Sequence, residues 1–536
     1  MRSILAAFLP LALLGTALAE DPASPKTASP TLADLLQDTA KKKEIAKALK
    51  MLDQYFKAEA DEKKSNRNAN KQAEAEEDFL GWLAGTADSV GMDLRAHPDI
   101  VIDMLDQARI KYLESKYRKG SLEYVKVSDA KGMKRHEYAI LVPPTYDPNK
   151  SRIPVVVSLH GRVINPRHPA FRSAPFDERA RYVIWNNWFK TPAANDVLVV
   201  APTTNPDGFQ FTAESHYDDL QALFRTLIEA LSEYRGDWDR IFLEVHGKAL
   251  RVACEQSLVF AGIIVRDRVD DRKGPLLDPE EFFLLENLNG IPLVYVADAE
   301  NWANVGKPTA DALTAAYGKA GMPQNLVVIQ AKRDVDGALR GGEPQIQAFL
   351  ATHVRPKTRE SFTWRFAAAD QVQPFPVLGI EANFNFNVND AARKAPLADK
   401  AGRMAFKVRR ETVEGQDVNR IEIDITEAEG LKLALSDPLI NLDLPVTLTV
   451  NGVATDVTKK KYERDWKLFF DNVLPGRYFM LPMLSTLEVA FPLKPQFVAP
   501  EEKPAEGADG AAGKKPADEQ KPAEGMPADA EKATGK

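Results

Sequence analysis

From Ile153 to Ile329 the chain repeats one pattern: a short, β-branched, almost wholly apolar run, then a helical segment. The runs are Ile153 to Leu159, Val197 to Val200, Ile241 to Leu243, Ile291 to Val296 and Leu326 to Ile329. Runs with no polar face fit strands buried on both sides of a parallel sheet. The segments between them, notably Asp218 to Tyr234 and Thr309 to Ala320, are helical in pattern. Strands that alternate with helices build βαβ units, so the expectation is α/β: a doubly wound, mostly parallel sheet. Tyr124 to Val127 and Tyr138 to Val142 read as strands leading into it, with turn chemistry from Pro143 to Pro148.

A chain of 536 residues is too long for one compact core, so flanking domains are expected. The segment 31–120 reads as a helical region, because Ile45, Leu49, Leu52 and Phe56 recur at three- and four-residue steps. Apolar patches at Phe79 to Leu83 and Ile102 to Leu113 extend it. The α/β unit then spans 121–357. After Pro356 the helical pattern stops. Strand-like pieces follow at Phe362 to Phe366, Phe406 to Val408, Arg420 to Ile425, Leu431 to Leu435, Val446 to Val450 and Leu468 to Phe470. Asn451-Gly452 is a hairpin signal. Residues 358–497 are therefore expected to form a small β-rich, sandwich-like domain. The segment 498–536 is almost entirely Pro, Ala, Glu, Lys and Gly, has nothing to bury, and is expected to be disordered.

At the N-terminus, Arg2, the apolar run Ile4 to Leu14 and the small-residue site Ala17-Leu18-Ala19 read as a secretory signal peptide over 1–19, cleaved after Ala19. A Pro, Ala and Ser-rich linker occupies 20–30. The run is short for a membrane span, and no other long apolar stretch occurs, so no transmembrane segment is expected after cleavage. A secreted or periplasmic protein is expected. A net charge of −7 speaks against a nucleic-acid partner. A single cysteine, Cys254, excludes an intramolecular disulfide and zinc sites built on cysteine pairs. The 7 histidines show no metal-ligand spacing, so no metal and no other cofactor is expected.

The segment Asp239 to Ala249 reads as a strand, a sharp turn and the start of a helix, with the strand ending near Glu244 and the helix starting near Lys248. Its turn is Val245-His246-Gly247-Lys248-Ala249. Tyr138 to Pro148, followed by Pro154 to Gly161, Val199 to Pro202, Trp238 to Leu243 and Phe260 to Ile264, resembles in order and spacing the secreted α/β-hydrolase esterases. These include the polyhydroxybutyrate-depolymerase, feruloyl-esterase and prolyl-oligopeptidase-like groups. Leu435-Ser436-Asp437 with Leu444 to Gly452 resembles the β domain appended to some of them. The likeness covers roughly residues 121–480.

The resemblance implies a nucleophile in a Gly-x-Ser-x-Gly elbow. That position falls on Gly247, and both flanking glycines are replaced. The acid falls on Asn301, with Asp298 or Glu300 as substitutes if the loop is shifted. The histidine belongs in the loop Lys332 to Arg340, which contains none, and His353 lies beyond a further helix. A Ser-His-acid triad needs all three groups in hydrogen-bond reach, so the implied triad is degenerate and no catalytic residue is intact. The oxyanion loop falls on His160-Gly161-Arg162.

Each singled-out residue has two readings. His246 is either catalytic or packed beneath the elbow, and the motif, which exposes only its central residue, favours packing. Cys254 is either a nucleophile or a buried small hydrophobe; no histidine stands beside it, which favours the second. Arg162 and Lys248 near a helix N-terminus suit an anion, or point to solvent. Arg266, Asp267, Arg268, Asp270, Asp271 and Arg272 read as a solvated charged loop. Trp364, Phe366, Phe384 and Phe386 form either a ligand platform or core. Three functions fit these residues. One is a catalytically degenerate esterase-like protein that binds a small acyl or anionic ligand or a protein partner. Another is an active carboxylic-ester or peptide hydrolase with a rearranged site. The third is a structural or interaction protein of the cell envelope.

Overall fold

The structure is a computed structural model. It describes residues 31–62, 69–94, 97–112, 119–128, 134–147, 152–160, 176–189, 191–203, 216–267, 275–277, 279–333, 339–356, 359–366, 377–382, 401–413, 415–426, 428–436, 439–454, 462, 464–465, 467 and 485–490. The expected signal peptide, linker and disordered tail, and the expected strand Leu468 to Phe470, lie outside the described residues.

The expected helical region contains α1 (Leu32–Gln37), α2 (Thr39–Glu62), α3 (Ala69–Val90) and α4 (Pro98–Arg109). Thr31 and Asp34 cap α1 reciprocally: the Asp34 amide donates to Thr31 Oγ1 at 3.2 Å and the Thr31 amide to Asp34 Oδ2 at 2.8 Å. Ile45, Leu52, Phe56, Phe79, Leu83, Ile102 and Leu105 are all buried, the face their spacing predicts. Arg152 clamps α4 by donating from Nε to Asp106 Oδ2 at 2.7 Å, with its guanidinium 5.3 Å over the Trp238 ring.

The α/β part follows in chain order as β1 (Leu122–Ser128), β2 (Lys134–Leu141), β3 (Ile153–Leu159), α5 (Phe176–Asn187), β4 (Leu198–Pro202), α6 (His216–Glu233), β5 (Gly236–His246), α7 (Leu250–Glu255), β6 (Gly262–Arg266), β7 (Leu293–Asp298), α8 (Lys307–Lys319), β8 (Leu326–Arg333), β9 (Leu339–Arg340) and α9 (Glu343–Thr352). The sheet order is β1-β2-β4-β3-β5-β6-β7-β8-β9. Strands β3 to β8 pair in parallel, and β2 lies antiparallel to β1 and β4. With its antiparallel opening pair and crossed β3 and β4, this is the α/β-hydrolase sheet that the resemblance implies.

Both faces of the central strands β3 to β7 are covered, which is why these strands carry no polar side, whereas β8, expected to be buried in the same way, lies near the sheet edge with Val327 and Val328 exposed. Val156, Phe242, Ile264 and Val294 pack with Ile184, Trp188, Ile346 and Phe349 on the α5 and α9 face. Val157, Leu243, Val265 and Tyr295 pack with Leu223, Leu227 and Leu313 on the other. Glycine is required at position 262, because a Cβ there would sit 2.3 Å from Phe349 Cζ. Without that Cβ, α9 lies directly on β6.

The β-rich part comprises β10 (Ser361–Phe366), β11 (Val377–Ala382), β12 (Gly402–Val413), β13 (Gln416–Ile425), β14 (Ala428–Leu435), β15 (Val446–Val450), β16 (Val453–Ala454) and β17 (Ser485–Ala490). They form a five-stranded sheet, β10-β12-β13-β15-β16, and a three-stranded one, β11-β14-β17. Asn451 and Gly452, at φ of 50° and 78°, close the β15–β16 hairpin that their sequence announces. Strands β11 and β17 are absent from the sequence reading, since their apolar residues are interrupted by Gly379, Glu381 and Glu488. Trp364 and Phe366 are core rather than platform, buried with Met404, Phe406 and Ile423. Phe384 and Phe386 lie outside the described residues.

Two asparagines join this sheet to the α/β part by imitating a strand. Asn287 donates from Nδ2 to the Arg365 carbonyl at 2.8 Å and accepts the Arg365 amide at 2.6 Å. Asn289 does the same with Thr363, at 2.8 and 2.9 Å. The two-residue spacing matches the period of the β10 edge. Asn287→Ala removes a donor and an acceptor from a fully buried place and strands both Arg365 backbone groups. It is expected to cost about 2–4 kcal/mol, read as a lower urea midpoint at unchanged slope.

Candidate functional site at the carboxyl edge of the sheet

In open α/β sheets the chemistry sits beyond the carboxyl ends of the strands. Here β5 ends at His246, and Gly247 turns the chain with φ of 59°. A single 3-10 turn, Gly247–Ala249, leads into α7. The strand runs two residues past its expected end, because Glu244, Val245 and His246 stay paired with Ile264, Val265 and Arg266 of β6. The helix starts later than expected, at Leu250, after the 3-10 turn. Gly247 is buried and its left-handed conformation suits a residue without Cβ.

Glu244 lies below this turn on the α5 face and is fully buried. Its register partners put Ser158 of β3 beside it. Ser158 Oγ donates to its carboxylate, as does Trp188 Nε1 at 2.7 Å. Arg266 Nε donates to Oε1 at 2.5 Å. His246 Nε2 is 3.9 Å away and shares a 3.0 Å hydrogen bond with Asn187 Nδ2. Burial alone pushes the Glu244 carboxyl up. The Arg266 charge, with help from His246 and Ser158, more than reverses this and holds it far below the usual carboxylate range. His246 is therefore a packing residue tied to α5.

A second network occupies the next strand ends. Tyr295 Oη donates to buried Asp267 at 2.5 Å, and the Asp298 amide donates to the same carboxylate at 2.8 Å. Burial pushes the Asp267 carboxyl up, with the Asp298 charge in support, against the hydrogen bonds from Tyr295 and Asp298. Asp298, at the end of β7, is fully buried and pairs with Arg333 Nε at 2.6 Å. It also accepts from Asn301 Nδ2 at 3.0 Å and caps its own turn through the Glu300 amide at 3.0 Å. Asn301 thus sits beside a carboxylate, but that carboxylate answers to an arginine from β8.

Of the remaining sequence candidates, His160 lies one residue past the Leu159–Val245 pair of β3 and β5, next to the turn. His160 is buried just after β3, while Gly161, Arg162 and the side chain of Lys248 lie outside the described residues. His353 closes α9 and bonds the Phe349 carbonyl at 2.8 Å. Cys254 is buried, and burial pushes its thiol well above the usual range, away from thiolate chemistry. Among the described residues no group of His, Cys, Asp and Glu could hold a metal ion, and no helix is long and apolar enough to cross a membrane.

The charged run from Arg266 requires a correction. Arg266 and Asp267 are not solvated: they are 4% and 1% exposed. The signal was present in the alternation. Glu244 is in phase with Phe242, and Arg266 with Ile264, so one acid and one base share a buried face on adjacent strands.

No protein-family model matches the chain, and no curated protein does. Among solved structures it is similar to a thermostable esterase, at 15% identity and a TM-score of 0.29 over 44% of this chain and 63% of that one. It is also similar to the feruloyl esterase module from Clostridium thermocellum, at 15% and 0.27 over 45% and 89%. A third is prolyl oligopeptidase B from Galerina marginata, at 12% and 0.25 over 43% and 36%. The chain spans less than two thirds of the first and third.

The ion pair yields a signed pH prediction. Glu244→Gln leaves Arg266 buried without its counter-ion and is expected to cost about 3–5 kcal/mol at neutral pH. The folded carboxyl is depressed, so its stabilisation is complete above the unfolded glutamate value of about 4.3 and is lost as pH falls further below it. Urea unfolding of both proteins should show their difference constant above that pH and shrinking below it.

Proposed function

We propose that this α/β-hydrolase-fold protein has lost acyl-transfer chemistry and acts by binding a small acyl or anionic ligand or a protein partner at the carboxyl edge of its sheet. The carrying observation is Gly247: the turn between β5 and α7 keeps a left-handed residue and offers no side chain to attack a carbonyl. The surroundings support the same reading. The Asp298 carboxylate is committed to Arg333, and His246 is committed to Asn187. We further propose export to a secreted or periplasmic location on the strength of residues 1–19, and a division into a helical region at 31–120, a hydrolase-fold unit at 121–357 and a β-rich unit at 358–497.

Purified protein is expected not to hydrolyse short p-nitrophenyl esters above background, nor to be labelled on serine by a fluorophosphonate. Stoichiometric labelling would overturn the reading. Gly247→Ser is expected to add no esterase activity, since a serine hydroxyl without an adjacent base is a weak nucleophile. It should also cost ~1–3 kcal/mol of stability, because φ is positive there. Calorimetry checks the second point and ester turnover the first.

A further inference from the structure

At β8 the apolar pattern of the large sheet meets water. From Ala320 to Ala331 the chain carries no charged residue. Within this stretch β8 pairs with β7 along Leu326 to Ala331. Among the described residues nothing pairs its other edge there, since β9 joins only at Lys332 and Arg333. Val327 and Val328 are 40% and 38% exposed, although consecutive side chains of a strand point to opposite faces. Neither covering layer therefore reaches this rim. With Met322 just before the strand, they are three of the seven large apolar side chains exposed among the described residues.

An edge strand presents unpaired N–H and C=O groups and templates pairing with another chain unless charge, proline or a covering element blunts it. The opposite edge of the same sheet follows that rule: β1 carries Glu123 and Lys126, and Lys126 is exposed. The open stretch of β8 has no such guard and reads Leu-Val-Val-Ile-Gln-Ala. The same residues select the partner. β9 stops any added strand at Lys332, so only a short partner strand fits. A second β8, antiparallel about a two-fold axis normal to the sheet, is that short. Such an axis keeps each face on its own side, so paired positions lie symmetrically about one residue. Centred on Val328, it sets Val328 against its own copy, Val327 against Ile329 and Leu326 against Gln330. β-branched side chains pair favourably across strands, and no like charges meet, since Lys332 falls opposite Gln324.

We propose that β8 joins a second copy of this chain, edge to edge and antiparallel, to make a two-fold dimer with one continuous sheet. The proposal is independent of the binding role above. The carboxyl edges of the two sheets then point in opposite directions, and the Gly247 turn, at the end of β5 and three strands from β8, stays outside the contact.

The test follows the full chain by sedimentation and amide hydrogen exchange from low to high micromolar concentration. A monomer–dimer equilibrium is expected, with the Val327 to Gln330 amides gaining protection as the dimer forms. Val328→Lys sets two lysines against each other at the axis and should weaken the dimer by about tenfold or more. It should leave the urea midpoint of the monomer unchanged, because the side chain is exposed. Val328→Cys should form an intermolecular disulfide under mild oxidation, since opposed residues of a strand pair lie within disulfide range and the native Cys254 is buried. Val413→Cys, similarly exposed on β12, should not. A chain that stays monomeric throughout overturns the proposal: amides protected at every concentration would give the edge to another segment of this chain, and unprotected amides would leave it to a different partner. A dimer that Val328→Lys leaves intact, or equal cross-linking of both cysteine variants, overturns it as well.

Discussion

A carboxylate with no exposure to water sits in the middle of this fold, and the surrounding architecture has to satisfy it. Glu244 receives hydrogen bonds from β3 through Ser158, from the end of α5 through Trp188 and from β6 through Arg266. Desolvation makes such an ion pair a weak source of net stability, yet removing one partner is expensive. Its larger consequence is specificity. A slip of β5 or β6 by one residue would turn Glu244 or Arg266 to the opposite face, where Leu243 and Val265 pack in the larger hydrophobic cluster. The pair therefore favours one register of β5 against β6 in a sheet whose side chains are otherwise mostly apolar.

The carboxyl edge of the sheet carries charge at the ends of β5 to β8, and these charges are partnered with one another. Asp267 and Asp298 are bridged by a backbone amide, and Asp298 is neutralised by Arg333. Gly247 keeps the sharp turn at the head of β5 without adding a reactive group.

The β-rich part is held by a different device. Asn287 and Asn289 extend the β10 edge with side-chain amides in place of a strand. Such an edge would otherwise expose unpaired backbone groups. Asn289 itself adopts a positive φ of 48°, which asparagine tolerates better than most residues.

The runs at Ile153, Leu198, Ile241 and Leu293 could be read as buried parallel strands because a strand covered on both faces has no polar alternation to disguise it. The helical face of Ile45, Leu52 and Phe56 and the Asn451-Gly452 hairpin were legible for the same reason: local periodicity and φ preference act within a few residues. The glycine at 247 was legible by its place in the chain. The buried pairing of Glu244 with Arg266 was not, because the residues are 22 apart and each looks like an ordinary surface charge next to its own neighbours. Nor was the commitment of Asp298 to Arg333, or the strand mimicry of Asn287, which depends on a sheet contributed 78 residues later. The sequence by itself determined the uninterrupted apolar strands, the helices with a clear apolar face and the absence of a side chain at the turn, since these follow from short-range pattern and residue identity. Only the tertiary structure decided which charges are buried and which partners satisfy them. Burial and pairing are properties of neighbours brought together by the sheet.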